Sequence, residues 1–244
     1  MPPRPSPTHF LCIPLVTATS RPQLSSSLSS FRADVTSLES FGVPDQAIRP
    51  IGTLHLTLGV MSFPKNEGLE TATALLKTII PRQILADIAA PPQNQQAAKG
   101  GELSDPPPSP LLVTLKGLHT MQSAAKASVL YAPPVDNGVL TKFCERLRLT
   151  FQEAGLMLEE SRPLLLHATI LNTIYVKGKT ASRGGKGKRH EKLTIDARQI
   201  LDRYDDYLWM GDVPIEKIAI CRMGAQKQED GDEAYEVEAE IDMA

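Results

Sequence analysis

The 244-residue chain is poor in several features that define common classes of protein. It has three cysteines and no CxxC pair, which excludes a zinc-finger pattern and a disulfide framework and fits a reducing compartment. Its formal net charge is only −2, which argues against a surface that is basic throughout and leaves any nucleic-acid contact to a local patch. The apolar run at residues 10–16 contains Pro14 and is too short for a signal-peptide core or a membrane span.

The chain does have enough apolar sequence for a core, with 41% hydrophobic and 22% charged residues. Two segments depart from this globular composition. Residues 89–110 contain six prolines, which remove backbone donors, and are predicted to form a disordered insertion. Residues 177–192 contain seven Lys or Arg side chains and two adjacent glycines, which predicts a mobile basic loop. The remainder of residues 8–242 is predicted to form one domain.

Strand and helix patterns alternate between these two segments. Period-2 or continuous apolar runs predict strands over residues 9–16, 52–62, 111–118, 127–131, 164–176, 215–223 and 235–241. Apolar spacings of three and four predict helices over residues 23–39, 68–80, 139–155 and 196–204. Leu38 is placed on the buried face of the first helix, and Val60 on the buried face of the second strand. This order predicts an α+β domain with helices outside antiparallel sheets.

Two short motifs carry the chemistry of this sequence. His55-Leu56-Thr57 and His167-Ala168-Thr169 each lie in a predicted strand, one in each half of the chain. Residues i and i+2 of a strand point to the same face, so each motif places an imidazole beside a hydroxyl. One neutral imidazole takes a proton and the other, protonated, gives one, while the hydroxyls donate to phosphate oxygens. The pair therefore predicts phosphodiester chemistry that needs no metal and no cofactor.

Spacing alone leaves a second interpretation open, because a histidine in an apolar strand is more often a hydrogen-bonded structural residue than a catalyst. The catalytic interpretation is favoured by the shared facing pattern of the two strands. The opposite face of each strand is apolar and can anchor in a core, so the histidine and threonine would look into a cleft.

The longer segments around the motifs resemble a known family. PTHFLCIPL at residues 7–15, RPIGTLHLTLGVM at residues 49–61 and LHATILNT at residues 166–173 are similar to the two-histidine phosphoesterase superfamily, and within it to the A-kinase anchor protein 7-like phosphoesterase domain. The resemblance covers about residues 8–241. It implies a bilobal fold with two antiparallel sheets around a central cleft. It also implies that His55 and His167 are catalytic and that Thr57 and Thr169 bind phosphate.

The resemblance also implies partners. Members of the superfamily act on RNA ends or on nucleotides with cyclic or 2′-5′ linkages. The motifs are most similar to a subunit of a nuclear, helicase-containing complex of transcription coactivation and alkylation-damage repair, so a nuclear or cytoplasmic location without membrane contact is expected. That subunit usually carries an RNA-binding KH domain, and no Gly-x-x-Gly loop precedes Thr8 here. The alternative is a catalytically silent, nucleic-acid-binding scaffold subunit; a ligase and a kinase anchor are weaker alternatives.

Four further residues are candidates for substrate binding. Tyr131 and Tyr175 are candidates for stacking on a base, although tyrosines in strands more often pack in the protein. Arg49, just before the first motif, and Lys177, in the basic loop, are candidates for phosphate contacts. A solvated loop or a localisation signal is an equally good interpretation of the basic loop.

Overall fold

The computed structural model describes residues 6–90, 110–158, 162–176 and 193–243. Nearly all of the Pro-rich insertion and the whole basic loop, with Lys177, lie outside these ranges, so both remain predictions. In the described ranges the α helices are α1 Ser20–Thr36, α2 Leu69–Thr78, α3 Pro81–Ala89, α4 Val139–Glu153 and α5 Arg198–Arg203. The longer strands are β1 His9–Pro14, β2 His55–Met61, β3 Leu112–Lys116, β5 Val129–Ala132, β7 Ala168–Asn172, β8 Leu208–Pro214, β9 Lys217–Arg222 and β12 Val237–Asp242. The two-residue strands are β4 His119–Thr120, β6 Pro134–Val135, β10 Gln226–Lys227 and β11 Glu233–Ala234.

The first sheet has the strand order β12-β9-β1-β2 and is antiparallel throughout. A bulge interrupts the β1–β2 ladder, because Leu11 pairs with Gly59 and Cys12 pairs with Thr57, which leaves Leu58 without a partner. The extra residue, Leu58, reverses which residues of the following part of β2 face the main core. Val60 therefore packs beside Phe10 on the face opposite the main core, which corrects its predicted placement.

The second sheet is divided by a bend into two three-stranded parts, β6-β3-β8 and β4-β5-β7. β3 and β4 follow one path that turns at Gly117, whose φ of 80° suits glycine. β5 and β6 follow the neighbouring path, which turns at Pro133, and Lys116 N still donates to Pro133 O at 3.3 Å across the bend. The two parts therefore form one bent layer in the order β8, β3/β4, β6/β5, β7, and the prediction of an α+β fold with antiparallel sheets is confirmed.

Several boundaries differ from the predicted ones. The strand expected at residues 164–176 is only β7, because its partner β5 ends at Ala132, opposite Ala168, and Pro133 cannot continue the ladder. Helix α1 ends at Thr36, so Leu38 lies outside it and is 94% exposed. Helix α3 and strand β8 were not predicted. Within the described ranges no helix is long and apolar enough to cross a membrane.

One hydrophobic core joins the two sheets and the helices. It includes Leu11 of β1, Phe31 of α1, Phe143 of α4 and Trp209 of β8, each buried. A smaller cluster lies on the other face of the first sheet and consists of Phe10, Cys12, Ala219 and Cys221. This second face is the one on which the first histidine motif lies.

Candidate active site

His55 is the first residue of β2 and is half-buried beside the smaller cluster. Its Nδ1 lies 2.8 Å from the carbonyl oxygen of Thr53, and because a carbonyl only accepts, Nδ1 carries a proton. The rings of Phe10 and Tyr235 pack against the imidazole at 4.8 and 5.2 Å between centroids. Burial is the main cause that lowers the pKa of His55 from 6.5 to about 4; the charges of His167 and Arg49 act in the same direction, and the Thr53 hydrogen bond opposes them. His55 is therefore neutral at pH 7, with Nε2 as its basic atom.

His167 lies immediately before β7 in a matching arrangement. Its Nδ1 is 2.9 Å from the carbonyl oxygen of Leu165, two residues earlier in the chain. The Nδ1 of His55 makes the same contact with the carbonyl oxygen of Thr53. Tyr131 of β5 presents its ring to this imidazole at 5.4 Å and 70°, as Tyr235 does to His55 at 5.2 Å and 84°. Both histidines thus have the same tautomer, with Nε2 left for proton exchange.

The two motifs come together because their strands lie next to each other. β2 and β7 are neighbouring edge strands of the two sheets. The segment before β2 reaches across to β7, where Ile48 forms a bridge with Leu171 and Arg49 N donates to Ile170 O at 2.9 Å. The electrostatic effect of His167 on His55 reflects this proximity. The tertiary structure therefore brings the two predicted imidazoles into one region.

The two threonines of the motifs are half-buried, each two residues after its histidine. In the part of the chain that the structure describes, neither hydroxyl of Thr57 or Thr169 has a hydrogen-bond partner. A half-buried hydroxyl without a protein partner is available to a ligand.

Arg49 lies near enough to His55 for its charge to lower the pKa of that histidine, and it is 5% exposed. Its Cζ lies 3.8 Å from the ring centroid of Tyr175, which is itself 43% exposed. The phenol of Tyr235 lies near enough to Arg49 and Tyr175 to interact electrostatically with both, and burial raises the pKa of that phenol. Arg49 and Tyr175, two of the predicted substrate-binding residues, thus lie in contact with each other.

Tyr131 is placed differently from Tyr175, because it is only 7% exposed. Its edge contact with His167 and its stacking on His119 at 5.9 Å occupy the ring. His119 itself is exposed in β4, while His9 is fully buried beside Phe63 and Glu238. These placements agree with surface and packing roles for the two histidines.

Tyr235 and Phe10 were missed from the sequence. Tyr235 stands in the acidic C-terminal stretch, and no spacing links it to His55. The β1–β2 register, which fixes Phe10 near the motif, becomes visible only once the bulge is known. Among the described residues, no group of three or more His, Cys, Asp or Glu side chains is placed to hold a metal ion.

The fold has solved counterparts. TT0787 of Thermus thermophilus matches with a TM-score of 0.50 at 16% identity and covers 97% of each chain. LigT of E. coli, solved in complex with 3′-AMP, matches with a TM-score of 0.50 at 15% identity and covers 98% of each chain. A structure described as a phosphoesterase matches with a TM-score of 0.50 at 17% identity, covering 98% of this chain and 99% of that one. These similarities show that the chain has the fold of these proteins.

The family follows from the sequence model that matches nearly the whole chain. The chain belongs to the AKAP7 2'5' RNA ligase-like domain family, whose model matches residues 7–243. An uncharacterized protein of Schizosaccharomyces pombe is 32% identical over 134 residues, which are 54% of this chain and 58% of that protein. Activating signal cointegrator 1 complex subunit 1 of Mus musculus is 25% identical over 180 residues, 69% of this chain and 45% of that protein. The chain therefore spans about half the length of these curated relatives.

Proposed function

We propose that the chain is a phosphodiesterase that acts on RNA ends or on nucleotides with a cyclic or 2′-linked phosphate. The observation that carries the proposal is the pair of equivalent imidazoles, each fixed through Nδ1 by the carbonyl two residues before it. This arrangement leaves Nε2 of both rings for proton transfer, and His167 is near enough for its charge to lower the pKa of His55. The complex of LigT with 3′-AMP is consistent with a nucleotide ligand.

The different surroundings of the two histidines support different roles. His55 is kept neutral by burial and by neighbouring cations, so it is proposed as the general base. Its Nε2 takes a proton from the attacking water as the water oxygen bonds to phosphorus. The bond from phosphorus to the leaving ribose oxygen breaks, and His167 gives its Nε2 proton to that oxygen. The hydroxyls of Thr57 and Thr169 donate to the non-bridging oxygens and stabilise their developing charge.

Two tyrosines are proposed as positioning residues. Tyr235 and Tyr131 each hold one imidazole by an edge contact, at 5.2 and 5.4 Å. Because the ring of Tyr131 is buried between two histidines, positioning His167 is proposed for it in place of stacking on a base. Tyr175, with its exposed ring, keeps the stacking role as a proposal.

The proposal is tested by turnover of a nucleoside 2′,3′-cyclic phosphate. His55→Ala and His167→Ala are each expected to lower kcat by about 10²–10⁴, because each removes one proton transfer. Thr57→Val is expected to lower it less, through loss of one hydrogen bond to phosphate. Lys217→Gln is the control, since this exposed lysine pairs with Glu240 on the far edge of the first sheet. Equal turnover by wild type and both histidine variants would refute the proposal, provided that all melt at the same temperature.

The second candidate is a nucleic-acid-binding subunit of a nuclear transcription-coactivator and repair complex that has no turnover. Similarity to activating signal cointegrator 1 complex subunit 1 over 180 residues favours it. Affinity purification of the tagged chain from nuclear and cytoplasmic extracts, run beside the turnover assay, separates the two candidates. Recovery of helicase-containing complex subunits without turnover of any cyclic or 2′-5′ substrate supports the scaffold, and turnover without these subunits contradicts it.

A further inference from the structure

A cavity of about 460 Å³ is lined by Arg49, whose charge acts on His55, and we call it the arginine cavity. Its wall is formed by residues from four segments, among them Arg32, Asp45, Arg49, Tyr175, Lys227 and Glu233. Tyr235 links this wall to the active site, because its ring packs on His55 and its hydroxyl interacts electrostatically with Arg49 and Tyr175. Tyr235 therefore interacts both with the proposed catalytic base and with residues of the cavity wall.

Arg49 forms no ion pair with any described residue, although its guanidinium stacks on the ring of Tyr175 at 3.8 Å. The residue is 5% exposed, and its Nη2 is buried without a hydrogen-bond partner among the described residues. A buried guanidinium nitrogen that has lost its water is costly unless something replaces that water. The position of Arg49 is fixed, since its backbone N is held by Ile170 O. Arg49 therefore lines the cavity from a fixed position in the backbone.

The other charged side chains of the cavity leave a positive balance. Arg32 forms an ion pair with Asp45, so these two cancel. Lys227 has no ion pair with any residue that the structure describes, and it faces the same space as the carboxylate of Glu233. Two cations, Arg49 and Lys227, thus remain against one carboxylate.

The wall that carries Lys227 and Glu233 is held against the active site. The carboxylate of Asp232 accepts from Gly52 N, at 3.0 and 3.2 Å to its two oxygens. The backbone of Glu233 comes so close to Gly52 that a Cβ there would lie 2.4 Å from its carbonyl oxygen. The β10–β11 hairpin and the segment before His55 therefore form one fixed unit.

We propose that the arginine cavity binds a second phosphate of the substrate, the 5′ phosphate of the nucleotide whose 3′ end lies between His55 and His167. Arg49 and Lys227 contact that phosphate, and Tyr175 borders it. This inference rests on the proposed function, and it makes an RNA strand with an internucleotide phosphate the preferred substrate over a nucleotide with a single phosphate.

The test compares two ligands that differ by one phosphate, adenosine 3′,5′-bisphosphate and adenosine 3′-monophosphate. Their Kd values are measured by calorimetry on wild type, Arg49→Gln, Lys227→Gln and the control Lys217→Gln. Wild type and the control are expected to bind the bisphosphate at least about tenfold more tightly, which is the effect of one charge-assisted phosphate contact. Arg49→Gln is expected to bring the ratio of the two Kd values close to one, and Lys227→Gln to reduce it severalfold.

Equal binding of the two ligands by wild type would overturn the inference, and so would an equal loss for both ligands in Arg49→Gln. Lys227 is exposed, so its variant keeps the test valid if Arg49→Gln fails to fold. Turnover of the cyclic phosphate is scored separately. A retained Kd ratio without turnover refutes only the catalytic proposal, and turnover with a Kd ratio of one refutes only the second phosphate site.

Discussion

At the scale of single residues, the two histidines have the same local arrangement in different surroundings. Each imidazole donates Nδ1–H to the carbonyl two residues before it and carries a threonine two residues after it. Their surroundings differ, because His55 lies among Phe10, Tyr235 and the charge of Arg49. Burial and the nearby positive charge lower the pKa of His55, so its ring is neutral at pH 7.

The titration of His55 is a direct test of this asymmetry. The midpoint in the free protein is expected at about pH 4, because burial and nearby positive charge disfavour the protonated ring. Removal of a neighbouring cation in Arg49→Gln or His167→Gln is expected to raise the midpoint. The measurement is an NMR titration of the imidazole protons, assigned with His55→Gln, and Lys217→Gln is the control that should leave the midpoint unchanged. A wild-type midpoint near 6.5 would contradict the assignment of His55 as base.

At the scale of elements, the strands that carry the motifs could be predicted because their apolar alternation is strong. The sequence placed β1, α1, β2 and α4 close to their observed bounds. The bulge at Leu58 could not be predicted, because it depends on how β2 pairs with β1. The apolar alternation within β2 alone is regular. Tyr235 was missed for a related reason. Its contact with His55 depends on the docking of the β10–β11 hairpin, which no local pattern encodes.

The docking of that hairpin can be tested at Gly52. In Gly52→Ala the new Cβ would lie 2.4 Å from the carbonyl oxygen of Glu233, so the backbone of one segment must shift. We expect the free energy of unfolding to fall by about 1–3 kcal/mol, as for other overpacked sites, and KM to rise because Tyr235 moves away from His55. Denaturant unfolding and steady-state kinetics measure the two effects.

Gly211→Ala is the matched control for this substitution. A Cβ at Gly211 meets only the side chain of Leu208, at 3.7 Å, which is an ordinary contact. Its stability and KM are expected to remain those of wild type. A Gly52→Ala protein as stable and active as Gly211→Ala would show that the hairpin has room to move and does not fix Tyr235.

At the scale of the whole molecule, the two sheets meet at the edges that carry the histidines. β2 and β7 lie side by side, and the residues before β2 bridge to β7 through Ile48 and Arg49. One hydrophobic cluster runs from Leu11 of the first sheet to Trp209 of the second. Because the core is continuous, the two halves are expected to lose their structure together. The spacing of the two imidazoles then depends on the stability of the entire fold.

The three cysteines can report whether the molecule unfolds as one unit. Cys12 and Cys221 lie in the first sheet with their sulfur atoms 3.8 Å apart, and Cys144 lies in α4. All three are buried, and burial raises the pKa of the Cys144 thiol, so none should react with iodoacetamide in the native protein. Labelling at increasing urea concentration, read by mass spectrometry of the separate peptides, is expected to give one common transition. If Cys144 is labelled at a lower urea concentration than Cys12 and Cys221, helix α4 opens before the first sheet, and the continuous core does not hold the molecule together as one cooperative unit.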